Sequence, residues 1–247
     1  MHTVYIGTAG WSLSSAAASH FPLDGSHLLR YAQVLPCVEI NSSFYRPHQS
    51  ATYARWADSV PAHFRFSVKL PRSITHERRL RDCAAELKRF AGEVMQLGNK
   101  LGCVLVQLPP SLRFEADVAA AFFLALRQRF DGMLACEARH PSWFEAGATE
   151  LLTMQRITRV RADPPAGQPG PHVPTTNVAY LRLHGSPTIY YSDYPADYLT
   201  ALAAELHTPA HVDSWCIFDN TAAGAALFNA LDLQARLRGA PAVQLLP

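Results

Sequence analysis

Residues 133–144 read MLACEARHPSWF. Met133 to Cys136 form a short apolar run of the kind that makes a buried strand. Glu137, Arg139 and His140 then follow with no turn residue between them. Ionisable groups at the end of a buried strand are costly unless they are paired or used. A parallel sheet buries its strands on both faces, and its strands deliver their C-terminal ends to one side. The fold therefore turns on whether other strands end in the same way.

Seven more runs do so or come close: YIGTAGW from Tyr5, VEIN from Val38, RFSVKLP from Arg65, CVLVQLP from Cys103, TRVRAD from Thr158, AYLRLHG from Ala179 and SWCIFDN from Ser214. With LACEARH from Leu134 the count is eight. Helical spacing fills the gaps. Cys83, Leu87, Phe90, Val94 and Leu97 share one helix face, as do Val118, Phe122, Leu126 and Phe130. Ala226, Ala230, Leu233 and Leu237 form a third stripe, stopped by Gly239. Shorter helices fit residues 26–35, 50–58, 146–156 and 195–206. Strand–helix alternation implies a parallel sheet, and eight units in this length match a TIM-type (β/α)8 barrel. A doubly wound open sheet is the alternative, although no GxGxxG or Walker motif follows any strand. After Asp163 comes PPAGQPGPHVPTT, too rich in Pro and Gly for a helix. A Pro/Gly-rich loop is expected in place of the sixth helix. No linker or repeat interrupts residues 1–247, so a single domain is expected.

Alternate side chains of a strand share a face. That rule turns Glu39 and Asn41 inward on the second strand, Ser67 and Lys69 on the third, and Leu105 and Gln107 on the fourth. The fifth gives Glu137 and Arg139, the sixth Arg161 and Asp163, the seventh Tyr180, Arg182 and His184, the eighth Phe218 and Asn220. Polar groups thus converge at strand C-termini, where barrels of this kind carry active sites. The following loops add Trp11, Tyr45, Arg46, His76, His140 and Trp143. For Trp11, Tyr45 or Trp143 taken alone, packing is the better explanation, and a buried ionic plug explains any single charged residue equally well. The whole set is better explained by a site, because buried ion pairs seldom add stability over apolar packing.

The chain has 247 residues, is 49% hydrophobic and 17% charged, and carries a net charge of +2, which does not by itself point to nucleic acid or a membrane. Charge is concentrated, however. Between Arg65 and Arg89 lie eight Lys or Arg against three Asp or Glu, about +5. That is either a solvated helix face or an electropositive lip. Five cysteines, an odd number with no CxxC pair, fit a reducing compartment. No apolar run approaches the roughly 18 residues of a membrane span, and the first residues, MHTVYIGTAGW, lack signal-peptide character. A cytoplasmic monomer with no membrane association is expected.

The pieces IGTAGW, VEINSSFYR, FRFSVKLPRSITHERRL, LGCVLVQLPPS, CEARHPSW, YLRLHG and IFDNTAAGAAL, in this order, resemble the family called domain of unknown function 72, or YecE-like. The resemblance spans nearly the whole chain and implies a TIM-type barrel, without implying an activity. It leads one to expect an asparagine beside Asn220, where Asp219 stands. By the alternation rule Asp219 points away from the axis and takes no part in catalysis.

The residues fit acid–base chemistry, of hydrolase or isomerase/lyase type, on a small anionic substrate such as a phosphorylated or carboxylated sugar. Glu39, Glu137, Lys69 and His184 are the candidate catalytic residues. Arg139, Arg182 and Lys69 would hold the anion, and Asn41, Gln107 and Asn220 would orient hydroxyls. No cofactor is expected. A second reading is a nucleic-acid-binding or phosphodiester-processing barrel like the endonuclease IV type. There Glu39, Glu137, Asp163 and His184 would hold a divalent metal, and Arg72, Arg78, Arg79 and Arg81 would track a backbone. Against it, no HxH or HExxH spacing occurs and cations interleave the acids, so no metal ligands are assigned. A third reading is a non-catalytic ligand-binding protein.

Overall fold

Tyr180 and Leu181 are chain neighbours that belong to different cores. Tyr180 packs with Cys37, Cys103, Leu105, Ala135, Val160, Trp215 and Ile217. Leu181 joins a larger core that includes Phe66, Leu87, Phe122, Leu199 and Leu233. The strands therefore have an inner face and an outer face, and the outer one is covered by helices. The computed structural model describes residues 2–207 and 212–239. Its strands are β1 (Thr3–Thr8), β2 (Cys37–Ile40), β3 (Arg65–Lys69), β4 (Leu101–Gln107), β5 (Met133–Glu137), β6 (Ile157–Arg159), β7 (Arg161–Asp163), β8 (Val178–Leu183) and β9 (Asp213–Phe218). The helices are α1 (His27–Ala32), α2 (Ser42–Tyr45), α3 (Ser50–Asp58), α4 (Ala84–Val94), α5 (Ala116–Arg127), α6 (Ala146–Met154), α7 (Ala196–His207) and α8 (Ala225–Leu237). No helix among the described residues is long and apolar enough to cross a membrane.

All strand pairings are parallel, in two sheets ordered β2-β3-β4-β5-β6 and β1-β9-β8-β7. The expected sixth strand supplies both β6 and β7, with Val160 between them, so one run of chain serves both sheets. At the other side an isolated parallel bridge joins Ala9 to Glu39, and the Gly10 amide donates to the Glu39 carbonyl at 2.9 Å. Beside it, β1 and β2 approach so closely that a Cβ on Gly7 would lie 2.1 Å from the Cys37 carbonyl oxygen. Residues 164–177 contain bends but no helix.

The inner face is layered. Towards the strand N-termini, Trp215 stacks on Tyr5 and on Tyr180, with centroids 4.8 and 5.9 Å apart. Towards the C-termini the apolar layer gives way to charge.

Two strands depart from the expected alternation. On β9 the inner residues are Trp215 and Ile217, while Phe218 packs outward. This run is apolar through Phe218 and polar at both 219 and 220, so the pattern carries no phase, and a one-residue slip exchanges the faces. On the sixth run Val160 faces inward. Arg161 instead pairs with Glu205 of α7, Nη1 to Oε1 at 2.5 Å and Nη2 to Oε2 at 3.0 Å. With no helix over this unit, its outer face is partly wet, and polar residues settle there.

Candidate functional site

Arg182 of β8 is fully buried, at 0% exposure, so its charge must be met by protein. Its Nη2 donates to Glu39 Oε1 at 2.7 Å and to Asp219 Oδ2 at 2.9 Å. Its Nε donates to Glu39 Oε2 at 3.0 Å, and its Nη1 donates to Glu137 Oε2. One guanidinium thus joins the ends of β2, β5 and β9. The Tyr180 hydroxyl sits 2.9 Å from Glu39 Oε2 and 2.7 Å from Ser67 Oγ. Arg139 grips the other oxygen of Glu137, from Nε at 2.9 Å and Nη2 at 2.8 Å. Gln107 approaches that oxygen at 3.5 Å.

His184, just beyond β8, lies between two acids. Nε2 is 3.1 Å from Glu137 Oε1 and Nδ1 is 3.0 Å from Asp219 Oδ2. Burial alone would lower its pKa, but the hydrogen bonds to Asp219 and Glu137 raise it above the usual 6.5. Burial alone would raise the Glu137 carboxyl, yet Arg182, His184 and Arg139 hold it well below its ordinary 4.5. Asp219 is likewise lowered, with Arg182 and His184 outweighing burial. Glu137 is therefore an ionised, fully engaged acceptor at neutral pH, and so a weak base.

Two groups keep hydrogen-bonding capacity. Lys69 is 7% exposed, and its Nζ lies 4.2 Å from the centre of the Phe44 ring. It forms no ion pair or side-chain hydrogen bond among the described residues. Burial pulls its pKa down to about 8, with Arg182 adding to the effect and Glu39, Glu137 and Asp219 opposing it. Asn41 donates to Asp219 Oδ1 at 3.4 Å, and its own Oδ1 is buried without a partner.

The structure therefore brings together Glu39, Asn41, Lys69, Gln107, Glu137, Arg139, Arg182 and His184. Around them, His76 lies edge-on to Phe44 at 4.9 Å, its pKa lowered by burial and by the charges of Lys69, Arg72 and Arg139. Tyr190 stands edge-on to His184 at 5.8 Å. His140 turns to Ser142, capping the short helix Pro141–Phe144. Trp11 packs edge-on against Trp56 at 5.0 Å. Tyr45 and Arg46 are exposed. A cavity of about 350 Å³ opens beside the ends of β1 and β9, lined by Thr8, Gly10, Leu13, Thr221 and Leu227 among others.

Four expectations need correction. Asp219 is part of the cluster, because β9 takes the opposite phase. Asn220 consequently faces α8, donating to Asn229 Oδ1 at 2.8 Å and to the Ser192 carbonyl at 2.9 Å. Asp163 turns outward and accepts from the Tyr194 hydroxyl at 2.9 Å. Trp143 is a core residue, 1% exposed, with its indole N–H donating to the Leu112 carbonyl at 2.9 Å. The residues that alternation missed are Asp219, Phe44 and Tyr190. Asp219 was discoverable from the phase of Trp215 as an inner aromatic. Tyr190 sits in a loop whose course no local pattern fixes.

The basic lip is largely self-neutralised. Arg72 pairs with Glu77 at 3.1 Å, Arg78 with Glu86 at 2.7 Å and Arg81 with Glu115 at 2.5 Å, while Arg79 binds the Ser111 carbonyl at 2.9 Å. Among the described residues no group of three or more His, Cys, Asp or Glu is arranged to hold a metal ion. Of the four ligands expected under the metal reading, Glu39 and Glu137 are held by Arg182, and Asp163 lies outside the cluster. All five cysteines are free and buried.

Parallel strands under a helical layer, with charge gathered at the strand C-termini, define the class: an α/β protein of TIM-barrel-like build. Within that class the chain belongs to the family described as Protein of unknown function DUF72, whose model matches residues 5–246. The UPF0759 protein YecE of Escherichia coli (strain K12) is 30% identical over 148 residues, 60% of this chain. That match spans about half, 52%, of the length of YecE. The UPF0759 protein YunF of Bacillus subtilis (strain 168) is 28% identical over 199 residues, covering 74% of this chain and 70% of YunF. Among solved structures, a DUF72 family protein from Thermotoga maritima MSB8 superposes with a TM-score of 0.80 at 26% identity, covering 96% of this chain and 100% of that one. The apo form of the 3-keto-D-glucoside 4-epimerase YcjR from E. coli matches with a TM-score of 0.52 at 10% identity, over 97% and 100% of the two chains, a likeness of fold alone.

Proposed function

We propose that the strands close into one (β/α)8 barrel, with residues 164–177 standing where the sixth helix would be, and that its C-terminal mouth is an acid–base active site for a small anionic substrate. Closure is supported by Arg182 itself. It touches β2, β5 and β9 at once, and in the hydrogen-bonded order β2 and β5 are three strands apart. One guanidinium reaches both only if the sheet curls around it.

The observation that carries the functional reading is a buried Asn41 Oδ1 without a partner, beside a largely buried Lys69 with no ion pair among the described residues, inside an otherwise satisfied cluster. A purely structural plug would pair them, since a buried charge without a counter-ion is costly. Three carboxylates (Glu39, Glu137, Asp219) face three permanent or near-permanent cations (Arg139, Arg182, Lys69). An imidazolium at His184 then tips the balance to about +1, which suits an anion. Arg139 and Lys69 would bind the anionic group. His184 would supply a proton and Lys69, when neutral, would accept one. Glu39, Glu137 and Asp219 would fix Arg182 and the imidazole in place. The lip arginines, tied to their neighbours, give no comparable support to the nucleic-acid reading.

The test is calorimetric titration of the protein with inorganic phosphate and with a panel of sugar phosphates and sugar acids. Binding that weakens at least tenfold in Arg139→Gln, with the fold retained, supports the reading. Tight, strongly salt-dependent binding of DNA with no response to any small anion would replace it with the second.

A further inference from the structure

The acid–base reading says that Lys69 moves protons; we infer that it also acts as a nucleophile, forming an imine with the carbonyl carbon of an aldehyde or ketone that carries an anionic group. The inference rests on the anion-site reading and deepens it by naming the substrate class as a carbonyl compound.

Lys69 closes β3, so its side chain starts from the inner face at the strand end. The side chain is buried, its Nζ lies against the Phe44 ring at 4.2 Å, and no carboxylate comes within ion-pair distance of it among the described residues. The acids that could have captured it are already engaged: Glu39 and Asp219 by Arg182, and Glu137 by Arg182 and Arg139. A largely buried amine with no ion-pair partner and other cations beside it is the environment that keeps a lysine nucleophilic. Its pKa of about 8 agrees with that geometry.

The step balances without a co-reactant. The neutral Nζ lone pair attacks the carbonyl carbon, a C–N bond forms, and the C=O π electrons move to oxygen. The two hydrogens of the amine end on that oxygen, which leaves as water, and the C=N bond remains. Arg139, half-buried at the edge of the cluster, would hold the anionic group while the carbonyl is over Lys69.

The chain has its own controls. Its three lysines are Lys69, Lys88 and Lys100. Lys88 is exposed, and Lys100 donates to the carbonyls of Ala57 and Val60 at 2.5 and 2.6 Å. The probe is pyridoxal 5′-phosphate, an aldehyde with an anionic group, used at limiting concentration on the intact protein, followed by borohydride reduction and peptide mapping. The expected result is reduced adduct on Lys69 at least tenfold above Lys88, with labelling that rises with pH through about 8. Lys69→Arg loses that adduct while keeping its circular dichroism and melting temperature. Inorganic phosphate should protect Lys69. Label on Lys88 in preference to Lys69, or label on Lys69 only after denaturation, overturns the nucleophile. Preferential labelling of Lys69 that phosphate does not diminish leaves the nucleophile standing and removes the anion site. Phosphate binding by calorimetry with Lys69 unlabelled does the reverse.

Discussion

Arg182 neutralises Glu39, Glu137 and Asp219 with no solvent to share the load. Removing one partner of a buried ion pair costs roughly 3–5 kcal/mol, because the other charge is left uncompensated. Arg182→Met keeps the apolar bulk and deletes the charge, so it should lose about that much stability. At roughly 2–4 °C per kcal/mol for a chain of this size, the melting temperature should fall by about 6–20 °C. A change below about 1 kcal/mol in urea denaturation would mean that the carboxylates are not held as described. His184 gives a second check. Its pKa is raised in the folded state, so its stabilising contribution is fully present below the unfolded value near 6.5 and is lost as pH rises through the higher folded value. Glu137 and Asp219 are lowered, so their contribution is present above their ordinary 4.5 and 3.8 and is lost as pH falls through the folded values. An NMR titration placing the His184 midpoint at or below 6.5 would contradict the bridge between Glu137 and Asp219. At this scale the sequence was most readable where a polar residue alternates with apolar neighbours: Glu39, Lys69, Gln107 and Arg182 each interrupt a β-branched or leucine run, and Glu137 interrupts an alanine–cysteine one. Trp143 was misread because its partner, the Leu112 carbonyl, lies 31 residues away and leaves no local mark.

Elements fail as predictors where their pattern has no phase. On β8, Tyr180 and Arg182 alternate with Leu181 and Leu183, and the reading of that strand needed no tertiary information. On β9 four apolar residues run together and two polar ones follow, so the helices on one side and the Trp215 stack on the other decide which way Asp219 points. On the sixth run the absence of a covering helix reverses the rule that polar residues turn inward. Strand ends were also placed two residues or so too late, because residues such as Pro71, Pro109 and His140 continue the polarity pattern after the ladder stops. The β1–β2 seam offers a test of element packing. A Cβ on Gly7 would meet the Cys37 carbonyl oxygen at 2.1 Å and the Cys37 sulfur at 2.9 Å. Backbone cannot step aside without parting the strands, so Gly7→Ala should cost about 3 kcal/mol, the upper end of the usual overpacking penalty. Calorimetry should register a drop of about 6–12 °C in melting temperature. By contrast Gly92→Ala, where an added Cβ meets nothing within 4 Å, should be neutral or slightly stabilising on a helix. Equal effects at the two glycines would mean that β1 and β2 do not approach this closely.

The order of the elements was legible at the scale of the whole molecule, because strand–helix alternation is a matter of local periodicity. What no periodicity records is distance across the interior, and the site consists of such distances: Tyr180 to Glu39 spans 141 residues and Arg182 to Glu39 spans 143. The two parallel sheets turn those separations into contacts of about 3 Å, and the cluster exists only while the sheets stay together. Among the described residues the seam between β1 and β2 is held by one bridge and the amide bond from Gly10 to the Glu39 carbonyl. Glu39 is thus both the residue that anchors the seam through its backbone and the one that anchors Arg182 through its side chain. If the barrel is closed, opening the seam would drag Glu39 away from a buried guanidinium, and the cost of exposing that charge couples the two events. The Gly10 amide should therefore exchange with deuterium only at the rate of global unfolding, as slowly as amides in the middle of β4 and β8. In Arg182→Met the coupling is gone, and Gly10 should exchange at least tenfold faster relative to those strand amides. Fast exchange of Gly10 in the unaltered protein would mean an open edge at β1–β2, and with it a site whose two sheets are not held together at the end where the chemistry is proposed.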